Sequence, residues 1–76
     1  NLNLSITPNP FTSIIEIRSD EEIQSIQVID ITGKVVKSVN VANKFTSIDL
    51  SNLVNGAYML VARTNNSVST KRILKN

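Results

Sequence analysis

Cysteine and histidine are absent from all 76 residues. Without cysteine there is no disulfide, no thiolate metal site and no sulfur nucleophile. The compartment stays open, because many exported bacterial domains also lack cysteine. Without histidine no Ser-His-Asp or Cys-His constellation can form, and there is no imidazole ligand. Aromatics are limited to Phe11, Phe45 and Tyr58. None lies in a basic cluster, and the net charge is only +2, so the stacking platforms and cation density of nucleic-acid binders are missing. No apolar run approaches the ~20 residues of a membrane helix, and no stretch reads as a signal peptide. Glycine occurs twice, at Gly33 and Gly56, and neither sits in a phosphate-binding loop. The carboxylates are scattered, whereas a glycosidase needs two across a cleft. No cofactor or metal is expected, and no enzyme.

A chain of this length forms one domain, 1–76, and buries only roughly 60% of its unfolded surface. A deep catalytic cleft has no room. The first residue is Asn1, consistent with a segment or tail of a longer exported polypeptide.

The apolar residues set the fold class. Of 31, 10 are Ile and 8 are Val, against 6 Leu and 3 Ala. Stiff β-branched side chains suit a pleated surface better than a helix. Seven short strands are expected: 1–6, 13–18, 23–30, 34–41, 45–50, 57–64 and 67–75. Turn signals recur every 8–12 residues. The expectation is an all-β fold, a small seven-stranded antiparallel sandwich.

In chain order, Leu2, Leu4 and Ile6 alternate with polar residues as in a half-buried strand. Pro8-Asn9-Pro10 then forces an extended corner without ladder bonds, with Phe11 placed to fit under it. Ile15 and Ile17 share one face, opposite Ile14, Glu16 and Arg18. Ser19-Asp20-Glu21-Glu22 matches a helix capping box, but the run after it is too β-branched for a helix and the acids read as a solvated loop. They lack the alternating oxygen ligands of a calcium loop.

Asp30-Ile31-Thr32-Gly33 has Asp first and Gly fourth, as a type I turn prefers. A three-residue loop with Gly33 left-handed pairs Ile29 with Val35 and Val28 with Val36. A two-residue loop pairs Val28 with Lys37. Cross-strand matching favours the first. Asn40 to Lys44 is expected to be a polar connection. Ile48 and Leu50 share a face, and Ser51-Asn52-Leu53 reads as a tight turn with Leu53 inward. Asn55-Gly56 tolerates positive φ. Tyr58, Leu60 and Ala62 oppose Ala57, Met59 and Val61, so this strand is central. Asn65-Asn66 turns into an edge strand whose cations discourage uncontrolled pairing; its register stays open between two-residue and three-residue loops.

Charge is uneven. After Asp49 there is no acid, while Arg63, Lys71, Arg72 and Lys75 give +4. Other chemistry is thin. Ser69 with Lys71 on one exposed strand is solvated surface. Asn3-Leu4-Ser5 and Asn65-Asn66-Ser67 match the glycosylation sequon, at a frequency chance supplies. Tyr58 reads as a core residue ahead of a sugar platform.

The ordered set Pro8-Asn9-Pro10, Asp30-x-x-Gly33-Lys34-Val35, Asp49-Leu50-Ser51-x-Leu53-x-x-Gly56-x-Tyr58, and terminal Lys71 with Lys75 resembles the type A C-terminal sorting domains of the type IX (Por) secretion system. The resemblance covers nearly the whole chain. It departs at Thr7, where the family often has an aromatic residue, and at Ala57, a variable position. It implies a seven-stranded immunoglobulin-like sandwich at the tail of an exported Bacteroidota protein. It further implies a non-catalytic signal that takes covalently linked N-terminal cargo through the periplasm to the outer-membrane translocon. A sortase-like protease often removes such a domain, and the cargo reaches the cell surface or the medium.

The resemblance implies recognition through Gly56, Tyr58, Lys71 and Lys75, and the basic end of the chain adds Arg72 to that set. Pro8, Asn9, Pro10, Asp30, Gly33, Lys34, Asp49 and Leu53 are the structural motif. One mechanism adds the basic C-terminal edge strand to a partner's sheet, main chain giving affinity and cations selectivity. A dimer through exposed edges is a further expectation. The alternative function is an accessory immunoglobulin-like module of a secreted enzyme, binding carbohydrate or acting as a spacer; it calls for a surface aromatic patch or a metal site.

Overall fold

The computed structural model describes residues 3–76. Asn1 and Leu2, which open the first expected strand, lie outside the described residues. Five strands form: β1 (Leu4–Thr7), β2 (Ile14–Ile29), β3 (Val35–Asp49), β4 (Gly56–Arg63) and β5 (Val68–Lys75). The all-β class expected from the Ile and Val content holds, and there is no helix among the described residues to cross a membrane.

The strand count is corrected from seven to five. The expected strands 13–18 and 23–30 are one continuous β2, and 34–41 and 45–50 are one continuous β3. The polar stretches Ser19–Glu22 and Asn40–Lys44 are therefore not loops. They lie within the spans of β2 and β3, where Ser19 pairs with Leu4, Asn40 with Ser25 and Asn43 with Ile23, and the residues between are irregular positions of the ladder. The strands pair antiparallel within one sheet, ordered β1-β2-β4-β5 with β3 also on β2, and an isolated parallel bridge joins Phe11 to Lys75. The pairings make one continuous sheet that curls around its core.

The curl follows from interruptions in the β2–β3 ladder, at Arg18/Ile23, Ile23/Ser25 and Val28/Ile29. The sequence of β3 requires two of them. Its inward residues run Val36, then Val39 and Val41, then Ile48. That series changes parity twice, and in a strand of period two a parity change needs an extra residue. Val36 is extra in the first shift, since Ile29 faces Val35 while Val28 faces Lys37. In the second, Val41 and Ala42 stand opposite Gln24 alone, between the pairs Ser25–Asn40 and Ile23–Asn43. Ala42 takes up the length at φ 55°. Its N-terminal half places β2 between β1 and the end of β3, and its C-terminal half places it between the start of β3 and β4.

Phe11, Ile15, Ile17, Ile23, Ile26, Val28, Ile48, Leu50, Tyr58, Leu60, Ala62 and Ile73 fill the curl as one buried cluster. The expected facing of Ile15 with Ile17, of Ile48 with Leu50, and of Tyr58 with Leu60 and Ala62 is what the core uses. Outside, Arg18 and Phe45 face each other across β2–β3, with the guanidinium carbon 4.5 Å from the ring centre. This cation–π contact gives the half-exposed Phe45 a partner.

Both hairpin turns are resolved. Gly33 N donates to Asp30 O at 3.0 Å and Asp30 N to Lys34 O at 2.9 Å, closing the three-residue loop with Gly33 at φ 90°. The favoured register thus holds for Ile29–Val35, but the bulge at Val36 restores Val28–Lys37. The β4–β5 turn is the two-residue form: Thr64 N donates to Ser67 O at 2.9 Å, and the Thr64 hydroxyl accepts from the amides of Asn66 and Ser67.

Candidate functional site

The motif residues gather at one end of the domain, where three turns meet the C-terminal strand. The first is the proline corner. Both X–Pro bonds, Thr7-Pro8 and Asn9-Pro10, are cis. The corner lays Asn9 and Phe11 along the outer edge of β5. Asn9 Nδ2 donates to Arg72 O at 3.2 Å and Asn9 Oδ1 accepts from Leu74 N at 3.1 Å. Phe11 N donates to Leu74 O, and Asn76 N to Phe11 O, both at 2.9 Å. Phe11 is buried beneath, as the sequence suggests.

β5 is the edge strand expected, but its C-terminal half is not an open edge. The outward main-chain groups there are already paired, so the expected strand addition at Arg72–Lys75 has no free ladder to join. This corrects the edge mechanism over that stretch.

The second turn follows Asp30. Its carboxylate accepts from Thr32 Oγ1 at 2.6 Å, Thr32 N at 2.9 Å and Lys34 N at 3.0 Å. These bonds hold the Asp30 carboxyl below its ordinary value of 3.8, the Thr32 hydroxyl contributing most. The third turn follows Asp49, whose carboxylate accepts from Ser51 N at 2.9 Å. The Ser51 amide, followed by the Ser51 hydroxyl, likewise lowers the Asp49 carboxyl. Leu53 N closes the turn on Leu50 O at 3.1 Å, with Leu53 half-buried against the core. The Tyr58 hydroxyl donates to Val54 O at 2.5 Å. Gly56 leaves the turn at φ 150°, a backbone region only glycine adopts freely.

Lys75 is not the exposed cation that the edge mechanism requires. It is 8% exposed, and its ammonium donates to Ser51 O at 3.3 Å and Leu53 O at 2.5 Å. A buried ammonium is tolerated because these carbonyls replace its water. Lys71 and Arg72 are exposed, but adjacent strand residues point to opposite faces. Lys71 pairs with Leu60 on the core side and Arg72 with Met59 on the outer side. The expected basic stripe is thus divided into one structural tie and two cations on different faces.

Between the second and third turns lies a hollow of about 320 Å³, lined by Asp30, Ile31, Val36, Leu53, Val54 and Tyr58 among others, Gly56 included. A second hollow of about 160 Å³ continues past Ala57 and Met59 to Arg72. Of the expected recognition residues, Gly56, Tyr58 and Arg72 therefore converge on one surface, and Lys71 and Lys75 do not. Sequence reasoning missed Ile31 and Val54, which are 85% and 78% exposed on its rim. The available signal was an aliphatic residue inside each turn, where polar residues are usual.

No group of His, Cys, Asp and Glu able to hold a metal occurs among the described residues. A sugar platform is poorly served too, since Phe11 and Tyr58 are buried and Arg18 covers the Phe45 ring. Fold and site together define a small all-β domain whose motif residues gather at one end. The family comparison is more specific: the model of the secretion system C-terminal sorting domain, the Por secretion tail, matches residues 5–76. The chain belongs to this family, the C-terminal sorting domains of type IX secretion. Comparison with individual curated proteins gives no match.

Proposed function

We propose that this domain is the address of an exported protein and not its catalyst. Cargo linked to its N-terminal side reaches the periplasm, the domain engages the type IX translocon of the outer membrane, and a sortase-like protease then detaches it at the surface. The cargo stays on the cell surface or enters the medium. The observation that carries this reading is the family match over residues 5–76. The gathering of the motif residues at one end supports it, because a receptor needs one contiguous surface.

Within that reading the residues divide by role. Gly56, Tyr58 and Lys75 build the recognition end, as do Pro8, Asn9, Pro10, Asp30, Gly33, Lys34, Asp49 and Leu53. Arg72 and Lys71 are the cations left for a partner.

The test is a fusion. Residues 1–76 are attached to the C-terminus of a fluorescent protein bearing a signal peptide. The fusion is expressed in a Bacteroidota host with and without a working translocon. Surface or medium fluorescence that requires the translocon is the expected result. Equal retention in the periplasm of both strains, with the domain folded, would rule the address function out.

A further inference from the structure

We infer that the hollow between the Ile31 and Val54 turns is a docking site for an extended segment of a partner protein, one carrying a bulky apolar side chain with a carboxylate close by. The inference rests on the sorting reading and names the surface and the chemistry by which the partner reads the domain.

Three observations lead there. The first is the apolar content of an exposed rim. Ile31 and Val54 stand almost free in solvent on either side of the hollow. The apolar surface continues across the outer face of the sheet, where the register aligns Val35, Ile29, Met59 and Arg72 in one row. Val35 and Met59 are partly exposed in that row. Contiguous exposed apolar surface of this kind marks an interaction site. A volume of about 320 Å³ is at the lower limit for small-molecule pockets, roughly 300–1,000 Å³, and suits a side-chain anchor.

The second is preorganisation. The Ile31 turn is held by three donors on the Asp30 carboxylate. The Val54 turn is held by the Tyr58 hydroxyl and the Lys75 ammonium. Both walls are fixed before any partner arrives, so little ordering cost remains for binding.

The third is charge. Asp30 is the acid lining the hollows, and its carboxylate is engaged inside its own turn. Arg72 is exposed at the far end of the second hollow. The chain after Asp49 carries +4 with no acid. An occupant with a carboxylate beside its apolar anchor meets Arg72 in the planar, two-bonded way guanidinium favours.

The cargo fusion tests this with substitutions at exposed side chains. Ile31→Glu and Val54→Glu place charge on the rim. Val68→Glu makes the same change at the opposite end of the β4–β5 hairpin, where Val68 is 57% exposed. Each variant's melting is compared with the parent's, and Ile31→Gln and Val54→Gln replace any glutamate variant that melts early. Expected is a loss of translocon-dependent surface fluorescence of about tenfold or more at Ile31 and Val54, with Val68→Glu unchanged. Arg72→Glu falls with the rim variants, and Arg72→Lys stays within about threefold of the parent. Normal export of folded Ile31 and Val54 variants overturns the docking site and leaves the sorting function standing. An equal loss in Val68→Glu overturns it too. A parent fusion that is never exported removes the sorting reading, and the docking inference with it.

Discussion

The side chain of Asn9 is bonded to the backbone of Leu74 across 65 residues of sequence. Its carboxamide also donates to the Arg72 carbonyl, so one side chain supplies the donor and the acceptor that a neighbouring strand would otherwise provide. The prolines on either side keep the corner from extending into a true strand. The result is a finished edge at the C-terminal end of β5, and a reason for an asparagine between two prolines.

Asn9→Ala should cost about 0.5–1.5 kcal/mol, the usual net contribution of a hydrogen bond whose groups water can reach once it is lost. Asn9→Asp keeps the acceptor and loses the donor, and should fall between. Urea unfolding measures the cost. Amide exchange at Leu74 should accelerate in the alanine variant. The uncovered edge should also raise self-association at high concentration, which sedimentation reads directly.

Lys75→Ala should destabilise the domain by about 1–3 kcal/mol, because the carbonyls of Ser51 and Leu53 lose the buried donor. Lys71→Ala, on an exposed residue, should stay within about 0.5 kcal/mol. Equal, small losses in thermal melting would show that the ammonium tie contributes nothing. This asymmetry bears on secretion assays, since a Lys75 variant lowers export through folding as well as recognition.

Ala42→Gly should stabilise the domain by about 0.5 kcal/mol. Relief of a left-handed alanine at φ 55° is worth about 1–2 kcal/mol, and the added freedom of unfolded glycine offsets about 0.5–1 of it. Gly56→Ala should do the reverse, costing about 1–3 kcal/mol, although a Cβ there meets no atom within 4 Å. Chemical denaturation of the two variants separates backbone strain from crowding, because neither site is crowded.

Stability should fall in acid through Asp30 and Asp49. Both carboxyls lie below their ordinary value of 3.8 in the folded chain. A depressed folded value means that their contribution is complete above the unfolded value and is lost as pH drops through the folded one. Melting temperature followed downward from neutral pH should therefore decline from about pH 4. Asp30→Asn should be less stable at neutral pH and less sensitive below it. A parallel decline in the variant would mean that the Thr32 and Lys34 bonds do not set the acid response.

Local chemistry made much of the molecule legible in its sequence. Ile and Val content determined the all-β class, alternation put Ile15 with Ile17, Ile48 with Leu50, and Tyr58 with Leu60 and Ala62 on shared faces, and Asp30 with Gly33 specified their turn. Each signal is confined to a few neighbouring residues. The parity changes at Val36–Val39 and Val41–Ile48 were also written there, but the first lay unread inside an expected strand and the second read as the polar connection Asn40–Lys44, until the pairing of β3 with β2 showed both to be bulges. Tertiary structure alone decided that seven runs are five strands, that Lys75 points inward, that Lys71 and Arg72 part to opposite faces, and that Asn9 completes β5. Those outcomes depend on partners up to 65 residues away. A lysine has the same sequence signature whether water or two turn carbonyls receive its charge, and only the folded chain chooses between them.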